Sequence, residues 1–80
     1  MNPIRKYINI DPEILGGEPV FQGTRVPVES LFSHLEEGIS LEDFLDDFPT
    51  VSKEQAQAVL DFAGKLLSSE EIYKRLDNAA

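Results

Sequence analysis

The amino-acid sequence predicts a mainly α fold: a tri-helical helix-turn-helix core with a short N-terminal β-hairpin before it and a C-terminal helix after it. The chain has 80 residues, enough for one small domain. Four of its five prolines lie in residues 1–27, which is typical of short extended pieces and turns. From residue 28 the apolar spacing changes from two to about 3.6 residues, the α-helical period. We therefore divide the single domain 1–80 into an extended segment 1–27, a helical core 28–67 and a last helix 68–80.

The extended segment is predicted to form a β-hairpin. Isoleucines recur at even spacing within residues 4–10, which predicts a half-buried first strand. A second short strand is expected at 20–22, because the residue before Pro19 is pushed towards extended backbone. A two-stranded hairpin is marginal in water, so it must pack on the helices or pair with another chain.

Apolar residues recur at intervals of three and four through the core, and they predict three helices, at about 28–37, 41–47 and 52–67. Gly38 is a left-handed stop for the first helix, and Pro49 prevents the second from continuing. Ser40 followed by Asp43 is a weakened capping box at the start of the second helix.

Serines also mark the starts of the last two helices. Ser52 with Gln55 three residues later is a capping-box signature that opens the third helix. Ser68 with Glu71 has the same spacing and is expected to cap a final helix at about 69–77. That helix is too short to be stable alone, so it must dock on the third helix or on a partner.

The net charge of −8 is confined to the middle of the chain. Residues 29–61 contain nine carboxylates and one lysine, whereas 1–28 and 62–80 are each neutral. Asp46 and Asp47 lie at the C-terminal end of the second helix, where the helix dipole disfavours negative charge. An acidic surface kept there favours a basic protein partner over naked nucleic acid, although a plain solvated face is the alternative.

Direct DNA binding would need the few basic and amide side chains near the third helix, which would be the recognition helix of a helix-turn-helix. Glutamine reads adenine, and lysine contacts guanine or phosphate, but two carboxylates share this helix and repel the DNA backbone. An ordinary solvated helix face is the alternative interpretation. The candidate DNA contacts are Lys53, Gln57 and Lys65, with Arg5 and Lys6 as an N-terminal arm.

Association with another chain is expected, because a core of this size supplies only about 3–5 kcal/mol. The chain has no cysteine and a single histidine, so disulfides and metal are not expected to supplement it. The third helix has an apolar arc too wide for one contact. Its second stripe, Val59, Phe62 and Leu66, is the candidate interface for a homo-oligomer, with Asp46 and Asp47 as candidate partner contacts.

Catalysis is not expected. The chain has no cysteine nucleophile, and its lone His34 stands among apolar residues, which favours a boundary histidine over a general base. Neither a metal nor a cofactor is expected from this inventory. The N-terminus has no apolar run long enough for a signal peptide or a membrane span, so we expect a cytoplasmic protein.

The segment that joins the hairpin to the first helix has a structural interpretation. Gly23 allows a sharp reversal, Thr24 can bond nearby backbone, and Pro27 is suited to the first helical position. Arg25 is expected to pair internally with a carboxylate, and a direct phosphate contact is the alternative.

The same residues carry a family resemblance. The run INIDPEILGGEPVFQGTRVPV, from Ile8 to Val28, followed by the helix breaks at Gly38 and Pro49, resembles the family catalogued as domain of unknown function 433. The resemblance covers roughly residues 4–65. It implies a helix-turn-helix, homeodomain-like fold. It also implies that the positions matching the family pattern define the fold and that none of them is catalytic. Those positions are Asp11, Pro12, Gly16, Gly17, Pro19, Gly23, Thr24, Arg25, Pro27 and Pro49.

Many members of that family resemble antitoxins encoded beside a PIN-like ribonuclease toxin. The resemblance therefore implies the antitoxin of a type II toxin–antitoxin pair, which binds and neutralises its cognate toxin protein and can bind operator DNA to regulate its own operon. The alternative is a stand-alone helix-turn-helix transcriptional regulator. The weak basic content of the third helix favours the antitoxin.

Overall fold

The computed structural model describes residues 3–79, with side chains from 4 to 76. The mainly α class, with a hairpin before the helices and a fourth helix after them, is confirmed. A turn of 3₁₀ helix at Pro3–Lys6 precedes the first strand, and a second follows at Leu15–Gly17. The strands are β1 (Ile8–Asn9) and β2 (Val20–Phe21), and the helices are α1 (Val28–Glu36), α2 (Leu41–Asp47), α3 (Lys53–Leu67) and α4 (Glu70–Ala79).

The hairpin is shorter than the sequence predicts. Its antiparallel strands pair Ile8 with Phe21 and Asn9 with Val20. The strand expected over residues 4–10 is wrong before position 8, where the chain forms the first 3₁₀ turn. That turn is closed by a hydrogen bond from the backbone N–H of Tyr7 to the carbonyl of Ile4. It buries Ile4 against the helices, which explains an apolar residue at this position without a strand.

A compact turn ties the hairpin to α1. Gly23 has a φ of +78°, a left-handed conformation that favours glycine. The hydroxyl of Thr24 donates to the carbonyl of Phe21 at 2.8 Å and accepts the N–H of Val26 at 3.0 Å. Pro27 then forms an antiparallel bridge with Val20 and directly precedes α1. Gly23 and Thr24 thus form the reversal and the backbone bonds that the sequence predicts, whereas Pro27 stands just before the first helical residue.

Side-chain caps begin the helices largely as predicted. The Ser40 hydroxyl accepts the backbone N–H of Asp43 at 3.1 Å. Ser52 and Gln55 form the full reciprocal capping box of α3. At α4 the predicted cap is off by one residue, because Ser69 and not Ser68 accepts the N–H of Glu71. Ser68 instead donates its own N–H to the carbonyl of Gly64, which keeps it in the last turn of α3.

The core lies between the hairpin and the first three helices. Its fully buried large side chains come from β2, α1 and α2, and they are Val20, Phe21, Leu31 and Phe44. Ile4, Val51, Ala56 and Val59 complete the buried set. The Phe44 ring centroid lies 4.9 Å from that of Phe48 and 6.3 Å from that of Phe21. These three rings therefore stabilise α2 against β2.

His34 occupies the boundary position that the sequence predicts. It is half-buried on α1, and its Nδ1 lies 2.7 Å from the carbonyl oxygen of Ser30. Its ring packs edge-on against Phe44 and Phe48, at 5.2 and 5.5 Å between centroids. The imidazole thus contributes to the aromatic packing beneath α2.

The C-terminal part of the chain is much less covered. α4 packs against α3, yet no side chain described on α4 is buried. The last turn of α3 also leaves Leu66 and Leu67 exposed. Within the described residues, no helix has the length and hydropathy needed to cross a bilayer.

Candidate protein-interaction surface

An acidic face follows the chain from the last turn of α1 to the end of α2. α2 directs its apolar residues, Leu41, Phe44 and Leu45, towards the core, so its carboxylates fall on the opposite, solvent side. All of its members are exposed, and they are Glu36, Glu37, Glu42, Asp43, Asp46 and Asp47. This acidic face is the largest concentration of charge in the described chain.

None of these carboxylates is neutralised within the described part of the molecule. Among side chains 4–76 the ion pair is that of Lys65 with Asp61, at 3.0 Å on the surface of α3. Asp46 and Asp47 stand in the last turn of α2, which contains no basic residue. Negative charge at that end costs about 0.3–1 kcal/mol per group. The local structure therefore opposes these two carboxylates, and no described side chain supplies a counterion.

The candidate DNA contacts are dispersed. Lys53 and Gln57 are exposed one turn apart on α3, and their side chains have no hydrogen-bond or ion-pair partner in the described chain. The charge of Lys65 is already offset by Asp61. Arg5 and Lys6 are exposed on the first 3₁₀ turn, which packs beside α3.

A tyrosine fixes the position of that N-terminal turn. The Tyr7 hydroxyl donates to Glu54 at 3.3 Å, and the Lys6 ammonium lies 5.6 Å from the Tyr7 ring centroid. Glu54, on the first turn of α3, is therefore held close to the predicted basic arm. Its negative charge weakens the attraction that Arg5 and Lys6 would exert on a phosphate.

The apolar stripe predicted as an interface divides between core and surface. Val59 is only 3 % exposed and belongs to the core of its own chain, so it is not available to a second copy. Phe62 is half-buried beside Ile4 and Tyr7. Leu66, at 43 % exposure, is the one member of the three that is open to solvent. The correction arises because the N-terminal turn covers the side of α3 that the sequence leaves uncovered.

Arg25 lies at the rim of an open groove of about 600 Å³ between the hairpin turn and the turn that joins α2 to α3. Asn9, Gln22 and Thr50 contribute to the groove lining. The predicted internal pairing of Arg25 is wrong, because no carboxylate among side chains 4–76 contacts it. The turn that Gly23 and Thr24 form presents the guanidinium to solvent.

Two contacts were not apparent from the sequence. The Gln55 amide donates to the carbonyl of Gln22 at 2.9 Å, and Tyr7 reaches Glu54 from a distant part of the chain. In the described residues no cluster of three histidine, cysteine, aspartate or glutamate side chains is arranged to hold a metal ion.

Fold and surface together define a small mainly α domain with an N-terminal hairpin and one uncompensated acidic face. The chain belongs to the family described as protein of unknown function (DUF433), whose model matches residues 8–63. It is similar to the uncharacterized protein y4eO of Sinorhizobium fredii (strain NBRC 101917 / NGR234), with 39 % identity over 51 residues. That match covers 64 % of this chain, but the chain spans only 23 % of the relative's length.

The fold is shared with a solved member of the family. The crystal structure of a DUF433 member protein from Anabaena variabilis ATCC 29413 superimposes with a TM-score of 0.66. The superposition covers 90 % of this chain and 68 % of the other, at 24 % sequence identity. The resemblance to the family that the sequence motifs indicate is therefore confirmed.

Proposed function

We propose that this chain is the antitoxin of a type II toxin–antitoxin pair and that it binds and neutralises a PIN-like ribonuclease through the acidic face. The observation that carries the proposal is the set of exposed carboxylates on α1 and α2 that no basic side chain of the described chain neutralises. The antitoxin role that the family resemblance of the sequence implies is consistent with it.

The chemistry of the partner explains why an acidic protein would inhibit it. A PIN-like nuclease gathers carboxylates around its metal, but the rim that holds RNA must attract phosphates and therefore carries positive charge. Carboxylates spaced along α2 can take the electrostatic position of those phosphates. Complementary charge also accelerates the encounter of the two proteins and suppresses wrong partners.

The acidic face is preorganised for such an encounter. Phe44, which anchors α2 from beneath, is fully buried, and the Ser40 hydroxyl caps the first turn. The carboxylate backbone positions are therefore fixed before binding, so ordering them costs little free energy.

The direct test is titration calorimetry of the chain against the product of the neighbouring gene. We expect binding, loss of ribonuclease activity in the complex, and an affinity at least about tenfold weaker for Asp46→Lys/Asp47→Lys, because two attractive contacts become repulsive. The matched control is Glu13→Lys/Glu18→Lys, which makes the same charge change at exposed residues outside the acidic face. Equal losses of affinity in both variants would show that only the net charge of the chain matters. A nuclease that does not bind the chain would overturn the proposal.

Operator binding is a second candidate activity, favoured by the exposed side chains of Lys53 and Gln57 on α3, which have no partner among the described residues. Gel retardation of the DNA upstream of the chain's own gene tests it. We expect Lys53→Ala to weaken the shift several-fold and to flatten its salt dependence, since one phosphate or base contact is lost. A chain that gives no shift even at low salt has no direct operator activity.

A further inference from the structure

The groove beside the hairpin turn is lined by four polar side chains that have no hydrogen-bond or ion-pair partner among the described residues. They are Asn9, Gln22, Arg25 and Thr50. Asn9 is half-buried, and the other three are exposed. Water satisfies such groups in the free chain, so a ligand gains affinity only if its own polar atoms replace those hydrogen bonds. A ligand of this groove must therefore offer polar atoms at several points.

The groove carries one positive charge, although the chain as a whole carries −8. Arg25 is the one charged residue among the described residues that line it, so no carboxylate shares the groove with the guanidinium. Ile14 and Val26, both half-buried, add apolar surface to the lining. The groove thus combines a single cation with neutral hydrogen-bonding groups and a small apolar area.

The turn fixes the backbone that presents the guanidinium. The Thr24 hydroxyl accepts the N–H of Val26, which closes the backbone around Arg25. The Gln55 amide donates to the carbonyl of Gln22 at 2.9 Å and ties the same turn to α3. These bonds order the turn before a ligand arrives, so less conformational entropy is lost on binding.

We infer that this groove binds a peptide segment of a partner protein that carries one carboxylate beside an apolar side chain. A planar guanidinium binds a carboxylate through two parallel hydrogen bonds. The side-chain amides of Asn9 and Gln22 both donate and accept, which suits the N–H and C=O groups of an extended peptide. Ile14 and Val26 provide the contact for the apolar side chain of the peptide.

A nucleic acid matches this lining less well. Its backbone carries a phosphate at every nucleotide, so it is bound by several cations. Among the described residues, the groove lining supplies one arginine and no aromatic ring on which a base could stack. A nucleic-acid strand would leave most of its phosphates unpaired here, whereas a single carboxylate is fully matched by Arg25.

The groove is separate from the acidic face, because none of the carboxylates of that face lines it. The guanidinium would also repel the basic rim of the proposed ribonuclease. The inference therefore does not rest on the proposed antitoxin activity, and either can fail without the other. The net charge of the chain opposes an acidic ligand at long range, so a dissociation constant on the order of millimolar is expected.

Nuclear magnetic resonance titration of the isotopically labelled chain tests the groove with three short peptides of leucine and alanine. The first is acetylated and amidated and has one central glutamate, and the second has glutamine in its place. The third is the glutamine peptide with a free C-terminal carboxylate. We expect saturable shifts of the side-chain N–H signals of Asn9, Gln22 and Arg25 with the first peptide and not with the second, because only the first offers an oxyanion. A response to the third as well also supports the inference and shows that a chain end can supply the carboxylate.

Arg25→Gln should weaken binding of the glutamate peptide at least about tenfold and abolish its preference over the glutamine peptide. Arg25→Lys should bind with intermediate affinity, because it keeps the charge but loses the planar fork. Arg25 is exposed and unpaired within side chains 4–76, so both variants should melt like the native chain. The matched control is Arg75→Gln, which removes the same charge from an exposed position on α4 and should bind like the native chain.

Three results would overturn the inference. The first is equal shifts with the glutamate peptide and the amidated glutamine peptide, or no saturable shift with either carboxylate peptide up to about 10 mM. The second is an affinity for the glutamate peptide that Arg25→Gln leaves unchanged. The third is a response of the same signals to a short DNA duplex, with an affinity that falls steeply with salt, and none to the peptides, which would assign the groove to phosphate.

Discussion

Helices α2 and α4 are both short and amphipathic, but only α2 packs its apolar side into the core of the chain. α2 has seven residues and buries Phe44 fully, whereas α4 has ten residues and buries none of its described side chains. The outer side of α2 is uniformly acidic, while α4 carries both signs of charge in successive turns. The comparison teaches that the core fixes α2 with its carboxylates outward, whereas α4 keeps Tyr73 and Leu76 open to solvent.

The largest effect should come from removing the anchor of α2. Phe44→Ala is expected to cost about 3–5 kcal/mol, since it leaves a cavity in a fully buried aromatic cluster. A core of this size supplies only about that much, so the variant should be largely unfolded by circular dichroism. Phe44→Leu should remain folded, with a free energy of unfolding lowered by up to about 1.5 kcal/mol in urea titrations.

Leu76→Ala is the corresponding change on α4, and it should alter the unfolding free energy of the monomer by less than about 0.5 kcal/mol, because the side chain is more than half exposed. Urea titration of the native chain and of the variant measures this difference. A loss comparable to that of Phe44→Leu would show that α4 is as fully integrated in the monomer as α2.

A smaller difference in the free energy of unfolding is expected between variants that lack the cap of α2 and variants that lack the cap of α4. Ser40→Ala removes the side-chain acceptor for the Asp43 N–H and should lower global stability by about 1 kcal/mol. Ser69→Ala removes the equivalent acceptor at α4, but an exposed terminal helix opens locally, so the global loss should be smaller. Amide hydrogen exchange checks this, with faster exchange confined to α4 in the Ser69 variant. Equal losses of global stability for both caps would contradict the contrast.

Features set by neighbouring residues were predictable from the sequence. The capping box of Ser52 and Gln55 and the turn at Gly23 and Thr24 depend on contacts within a few positions. The exposure of the acidic residues on α2 followed from the helical period alone, so the main surface could be located. The hydroxyl that caps α4 was misplaced by one residue, because two adjacent serines satisfy the same pattern.

Features set by distant packing were not predictable. An apolar residue at position 4 suits a strand or a turn equally, and only its burial against the helices distinguishes them. Val59 was assigned to an interface because the sequence does not reveal that the N-terminal turn packs on α3. Arg25 was expected to find a carboxylate, but charge counts do not specify the direction in which a turn projects its side chain.

Gln55 limits the substitutions that this sequence can accept at the start of α3. Gln55 accepts the N–H of Ser52 through its carbonyl oxygen and donates to the carbonyl of Gln22 through its amide nitrogen. In most capping boxes glutamate serves as well as glutamine, because only an acceptor is required. A carboxylate has no proton to donate and would repel the Gln22 carbonyl. A substitution that is neutral for the helix would therefore remove the bond that links α3 to the hairpin turn, and that turn would be left with the Thr24 bonds and the Val20–Pro27 bridge.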